Sequence, residues 1–417
     1  MSGGGAGLVK WEGLNSGLSD YNSGMSHSRP TTVEIGRSQQ GIVQNPDIYF
    51  DKDRLIVQYA DNNYSSDAVQ TNIKYMWVVS DDGGQTWHQQ DGPPRDIADH
   101  FISYVPTTTF RHPAAYGQSL PDGTRMAIGT YGSEIFKDTP EKRAQLKKSG
   151  YYIFTPELGN SPGTISIDAR VWMSRTRDDG KTWEEPHEIN YDRTLSQLAL
   201  YSVRGGGEML PDGTFVQPMW GRFAPGEEPS HDVSLALRTT DGGDAWKVHV
   251  IAAPEHFEVN ETAITRAPNG DLVALLRSTD SVEPDRIRQR DLWQAISRDG
   301  GVTWTGFRKS GVLGSTPWLV TTPDGLLVAV SARRATKPRS GDFERTGIYA
   351  CVSRDNGQTW DTDHQVAVFD AGREVVDGYP KAVALPDGAV YTVYGCQGGK
   401  VVGGTRFDPR HADFGDA

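Results

Sequence analysis

The chain has 417 residues, of which 23% are charged and 36% hydrophobic, the balance of a soluble globular protein and not of a disordered one. Its formal net charge of −12 argues against nucleic acid as a partner, because polyanion binders carry a basic excess. No apolar run reaches the ~18 residues of a membrane span, and neither HExxH nor any His/Cys spacing suggests a zinc site, so no metal or cofactor is expected.

In chain order, residues 1–30 read as a leader. MSGGGAGLVKWEG lacks a basic region followed by an apolar stretch, so no signal peptide is read, and cytoplasmic residence and secretion both stay open. Six hairpins with Pro-Asp-Gly-like turns follow: NPDIYFDKDRLIVQYAD, AAYGQSLPDGTRMAIGTYG, GGGEMLPDGTFVQPMW, NETAITRAPNGDLVALLRS, TPWLVTTPDGLLVAVSARR and GYPKAVALPDGAVYTVYG. After each of the first five comes the octet Ser/Thr-x-Asp-x-Gly-x-x-Trp, at Ser80–Trp87, Thr176–Trp183, Thr239–Trp246, Ser297–Trp304 and Ser353–Trp360. The Asp accepts hydrogen bonds from turn amides, the Gly permits φ > 0, and the Trp packs into a sheet, so the octet is a structural turn.

Hairpin, third strand, Asp turn and fourth strand make a four-stranded blade. The chain is therefore expected to be all-β, a six-bladed β-propeller forming one domain over residues 1–417. The last hairpin has no octet after it, which predicts that the final blade closes with an N-terminal strand around Thr31–Ile35. Within blade two, an insertion over residues 133–165 contains DTPEKRAQLKKSG, a predicted helix capped by Thr139, begun by Pro140 and ended at Gly150. Cys351 and Cys396 read as two free thiols in preference to one disulfide between the last two blades.

Strand arithmetic assigns a functional face. The fourth hairpin turns at Asn269–Gly270, so Glu261 at the start of its first strand and Arg277 at the end of its second lie opposite each other. First-strand starts, second-strand ends and the loops that follow share that face. Tyr379, Asp47 and Glu208 lie on first strands, and Asp67 and Arg345 lie in the following loops. Polar residues on innermost strands are unusual for packing alone.

At these residues the chain resembles the bacterial exo-α-sialidases (neuraminidases), whose propellers carry the octet as the Asp-box or BNR repeat. VNETAITRAPNGDLVALLRS is similar to the family's Asn-Glu segment, which implies that Glu261 partners a catalytic Tyr and that Arg277, sixteen residues on, binds substrate. DGYPKAVALPDGAVYTVYG is similar to the strand bearing the nucleophile, which implies Tyr379, with Pro380 where the family has Ser. Arg345, eight residues before Ser353, matches a second substrate Arg, and Asp67 matches the acid/base.

One departure concerns the first blade, where the family has Arg-Ile-Pro and this chain has Gln44-Asn45-Pro46-Asp47. An Arg of the substrate-carboxylate triad is replaced, Asp47 adds negative charge, and Arg37 and Arg111 are the candidates to compensate. The resemblance implies a retaining exo-glycosidase for sialic acid or a related acidic sugar, without cofactor, using a Tyr nucleophile in place of the usual carboxylate. Two alternatives stand beside it. Glu208 and Glu261 on adjacent blades would resemble the exo-arabinanases, which act on neutral sugars. A propeller can also bind glycan without catalysis.

Overall fold

Runs of β-branched and aromatic residues, broken every few residues by Pro-Asp-Gly or Asn-Gly turns, fold here into antiparallel meanders. The computed structural model describes residues 30–51, 53–62, 73–90, 123–131, 135–154, 163–167, 170–178, 182–185, 187–189, 191, 206–223, 229, 231–279, 290–334, 346–372 and 378–411. These residues are all-β apart from one α-helix and one short 3-10 turn.

The first meander runs Ile42–Asp51, Arg54–Asn62, Ile73–Ser80, His88–Gln90. The second contains Arg125–Tyr131, Arg170–Thr176 and His187–Glu188; the strand expected before its Pro-Asp-Gly turn lies outside the described residues. The third is Glu208–Met209, Phe215–Gly221, Val233–Thr239, Lys247–Ala252. The fourth is Val259–Arg266, Leu272–Ser278, Arg290–Ser297 and Thr305–Thr321. That last strand is long enough to serve also as the first strand of the fifth meander, ahead of Leu327–Arg333, Thr346–Ser353 and Asp361–Gly372.

The sixth meander, Gly378–Ala384, Val390–Cys396 and Val401–Phe407, takes its fourth strand from the start of the chain. Thr31–Arg37 pairs antiparallel with Val401–Phe407, Thr31 opposite Arg406 and Arg37 opposite Val401. The absent sixth octet had pointed to this pairing.

Buried clusters join neighbours. Met173 with Leu235 joins the second meander to the third, Val216 with Leu272 the third to the fourth, and Leu275 with Ala329 the fourth to the fifth. Val330 with Tyr394 joins the fifth to the sixth, and Tyr391 with Val57 the sixth to the first.

The Asp turns share one hydrogen-bond scheme. In the fourth meander, Asp299 Oδ1 accepts from Ser297 Oγ (2.8 Å), Val302 N (3.1 Å) and Thr303 N (2.8 Å), and Oδ2 accepts from Thr303 Oγ1 (2.6 Å). Asp82, Asp178, Asp241 and Asp355 repeat its core. Partial desolvation works against ionisation of Asp82 and Asp299, but the hydrogen bonds from Thr, Ser and turn amides outweigh it and bring both down to about 2.

The turn glycine also makes room for the adjoining meander. A Cβ on Gly84 would lie 1.9 Å from Tyr391, one on Gly301 3.0 Å from Val216, and one on Gly357 2.8 Å from Val273. The octet thus fixes meander-to-meander packing as well as its own turn.

Between the first two described strands of the second meander, Ile135–Lys137, Ile153–Phe154 and Thr164–Ile167 form a small sheet beside the helix Pro140–Lys148. Thr139 caps this helix, its side chain accepting from Lys142 N at 3.2 Å, and Pro140 occupies the first turn. Cys351 and Cys396 are free and buried, and burial pushes the Cys351 thiol up to about 12. No helix among the described residues is long and apolar enough to cross a membrane.

Candidate active site

Four first strands carry the same irregularity. Pairing with the second strand is interrupted between Gln44 and Asp47, Asn260 and Ala263, Ser315 and Trp318, and Gly378 and Lys381. Each interruption is a β-bulge, which bends the strand and re-aims a side chain. In three of them the first unpaired residue is left-handed: Glu261 at φ 44°, Thr316 at φ 50° and Tyr379 at φ 52°. An L-residue loses about 1–2 kcal/mol there, and β-branched Thr tolerates it least.

The bulges bring Tyr379 and Glu261 together. Tyr379 Oη donates to Glu261 Oε1 at 3.3 Å, across 118 residues and two meanders. The other oxygen, Oε2, lies 2.8 Å from Arg277 Nη1, and Glu261 is only 6% exposed. Asn260, not Glu261, is the Cα partner of Arg277, because the bulge displaces the register by one. Burial works against the Arg277 charge, but the Glu261 carboxylate, with Tyr379 and Glu258, more than offsets it and holds the guanidinium pKa above its ordinary value.

Neighbours hold this pair in place. Asn260 Nδ2 donates to Asp232 Oδ2 (3.1 Å), and Arg222 Nε donates to Asp232 Oδ1 (2.8 Å), which braces the Glu261 bulge from the third meander. The Arg334 guanidinium lies 4.0 Å above the Tyr379 ring centroid. A Cβ at position 378 would stand 2.6 Å from Arg334 Nε and 2.8 Å from Ala332 Cβ, so this stack requires Gly378.

One strand step further along, Lys381 Nζ donates to Asp47 Oδ1 at 2.6 Å and sits 5.0 Å from the centre of the Trp318 ring. Trp318 Nε1 in turn donates to Ala382 O at 2.7 Å. A phenol with a carboxylate acceptor, each beside an arginine, is an arrangement able to make a tyrosine a nucleophile.

Residues 152–392 match the family model described as the BNR repeat-like domain, and residues 78–89 match the BNR/Asp-box repeat. The chain belongs to the BNR repeat-like domain family. Over 337 residues this BNR chain is 25% identical to a sialidase of Bacteroides fragilis, a match covering 76% of the chain and 53% of the relative, so it spans about half that protein's length.

Among solved structures, a protein of unknown function from Dyadobacter fermentans aligns with TM-score 0.62 and 20% identity, covering 90% of this chain and 97% of its own. The Hadza microbial sialidase Hz136 aligns with TM-score 0.58 and 17% identity, covering 91% and 69%. At these identities the structural matches speak to the fold of the BNR chain.

The remaining sequence candidates fall differently. Asp67, Arg345 and Arg111 lie outside the described residues, as does the Gln44 side chain; the Gln44 backbone pairs with Ala60 just ahead of the bulge. Asp47 is not an uncompensated charge, because Lys381 answers it. Arg37 is bound to Glu34 at 2.7 Å on the N-terminal edge strand, with its side chain half-exposed.

Glu208 is not level with Glu261. Counted from its Pro-Asp-Gly turn it corresponds to Thr265, four residues or about 13 Å further along the strand. There it accepts hydrogen bonds from the Thr265 side chain and the Arg266 backbone. Protein atoms enclose its carboxyl although a strip of the residue stays accessible, and that burial pushes the group up to about 7.

Sequence reasoning passed over Arg334, Thr316 and Lys381. A signal was present in Asn45-Pro46, Thr316-Pro317 and Tyr379-Pro380, where Pro recurs at one place in three first strands. Pro within a strand marks a bulge or an edge, and here it marks the bulge.

Proposed function

We propose that this chain is a single six-bladed propeller with five Asp-box turns, and that it is a retaining exo-glycosidase of the sialidase type acting on terminal sialic acid or a related acidic sugar. The ring is supported by the apolar clusters that link the second meander through to the sixth and the sixth back to the first, and by the N-terminal strand completing the last sheet. The observation that carries the activity is the 3.3 Å hydrogen bond from Tyr379 to Glu261, made by two bulged, left-handed residues on different meanders. The similarity to a Bacteroides fragilis sialidase accords with it.

In this reading Tyr379 Oη attacks the anomeric carbon while Glu261 takes the phenolic proton. The bond to the leaving oxygen breaks as that oxygen takes a proton from Asp67. Water then gives its proton to Asp67 and displaces the tyrosine, which recovers its own proton from Glu261. A neutral phenol avoids repulsion with an anionic sugar, and Arg277 and Arg345 hold the substrate's carboxylate. The roles of Asp67 and Arg345 rest on the sequence resemblance. The neutral-sugar alternative needs Glu208 beside Glu261, and about 13 Å of strand between them does not favour it.

The test is a panel of fluorogenic aryl glycosides, with Y379F as control. Cleavage of the α-sialoside alone, abolished in a folded Y379F, is expected. Full turnover by Y379F, or preference for a neutral glycoside, would overturn the reading.

A further inference from the structure

We propose that Arg334 is an activating residue for Tyr379, stabilising through the ring face the negative charge that develops on the phenol oxygen as Glu261 takes its proton. The proposal rests on the nucleophilic role of Tyr379 given above.

Three observations carry it. The guanidinium stands 4.0 Å from the ring centroid, within the range of a cation–π contact. Its Nε and Nη2 are buried and, among the described residues, have no hydrogen-bond partner, and no carboxylate there pairs with it. Among the described residues, then, no group neutralises the charge next to the ring. Finally, the contact has its own steric provision, because any side chain at position 378 would expel Arg334.

The adjacent Arg333 makes a useful contrast. It stacks 4.0 Å from Tyr349 and its Nε likewise has no hydrogen-bond partner among the described residues, but its Nη2 is engaged by Gln365.

A cation over a phenol is attracted by the neutral ring and more strongly by the phenolate, so its effect is greatest where charge accumulates during attack. Among the described residues, the charged groups around Tyr379 come from several meanders. Glu261 and Arg277 come from the fourth meander, Arg334 from the fifth, and Asp47 of the first is matched by Lys381 on Tyr379's own strand. Among the described residues, Arg277 is bound to Glu261 and Lys381 to Asp47, whereas Arg334 is the cation stacked on the phenol ring.

The test compares wild type, R334K and R334Q by two measurements. The first needs no substrate: the rate at which a small aryl sulfonyl fluoride labels Tyr379, read by peptide mass spectrometry. The second is kcat and KM on an aryl α-sialoside across pH. Expected is a fall of about tenfold or more in labelling rate and in kcat for R334Q, a shift of the acid limb of kcat to higher pH, and an intermediate R334K.

Wild-type labelling by folded R334Q overturns the proposal, and so does a loss confined to KM, which would make Arg334 a substrate ligand. Y379F separates the two claims. If Y379F is inactive while R334Q labels and turns over normally, activation by Arg334 fails alone. If Y379F turns over normally, the nucleophile assignment fails whatever Arg334 does to labelling.

Discussion

The two ends of each meander follow opposite rules. At the turn end, the same residues make the same bonds in repeat after repeat: an Asp accepting from turn amides and hydroxyls, and a Gly admitting a neighbour's side chain. At the bulged end, the backbone device repeats while the residue it presents changes, from Glu261 to Thr316 to Tyr379. The turn end secures packing with satisfied polar groups. The bulged end spends conformational energy to aim side chains off the sheet, and strain of that kind is held at functional positions.

The sharpest way to break this comparison is to remove the chemistry from the bulged end alone. E261Q removes the proton acceptor of Tyr379 and should lower kcat by about 10²–10⁴, with the fold retained by circular dichroism. A variant with near wild-type kcat would mean that the bulged end, too, is only structural.

Glu208 offers the converse case, a carboxyl near the turn end of its strand that does no chemistry in the reading above. Its folded pKa of about 7 lies above the ordinary 4.5, because burial disfavours the charge. The folded state therefore holds a proton that the unfolded state has released between those values, and stability falls as pH rises from about 4.5 to about 7. E208Q should remove that fall, worth about 2–3 kcal/mol between pH 5 and pH 8 in urea unfolding, and leave turnover intact. Loss of turnover in E208Q would revive a carboxylate-pair mechanism.

The Asp turns should respond in the other direction and more weakly. D299A should cost about 1–2 kcal/mol in urea unfolding without changing kcat, since the lost hydrogen bonds are exposed and screened. Asp82 and Asp299 have folded pKa values of about 2, below the ordinary 3.8, so they stabilise the fold above pH 4 and that contribution fades as pH drops toward 2. D299N should flatten that acid limb of the melting curve.

The same contrast explains what the sequence disclosed. The Asp turns are local, so eight residues specify them, and the absence of a sixth copy was enough to point to a closing strand around Thr31–Ile35, where Thr31–Arg37 pairs with the last sheet. Thr139, Pro140 and Gly150 similarly marked the helix, because caps are local chemistry. The meeting of Tyr379, Glu261 and Arg277 was expected from their likeness to sialidase strands.

What escaped was set by contacts between meanders. Arg334 follows directly on a strand in a run of two arginines, and nothing in that run says which one turns toward Tyr379. Lys381 reads as a surface residue until Asp47 meets it from 334 positions away. Glu208 was misplaced for a simpler reason: its distance to the following turn, three residues against seven for Glu261, was already in the sequence.

Thr316 gives the finest test of the comparison, since it holds the bulge position without the chemistry of its two counterparts. Its residue is 4% exposed, and among the described residues its hydroxyl has no hydrogen-bond partner. An orphaned buried hydroxyl costs stability, and one retained at a bend of this kind is a candidate to be completed by a bound ligand or water. T316V isolates that hydroxyl, because valine has the same shape and the same difficulty with a left-handed backbone, so strain cancels between the two proteins. The variant should be more stable by about 1 kcal/mol in urea unfolding, and should show a raised KM for an aryl α-sialoside with kcat little changed. Stabilisation without any change in KM would place Thr316 with the turn end's rules after all, as a packing residue that happens to occupy a functional bend.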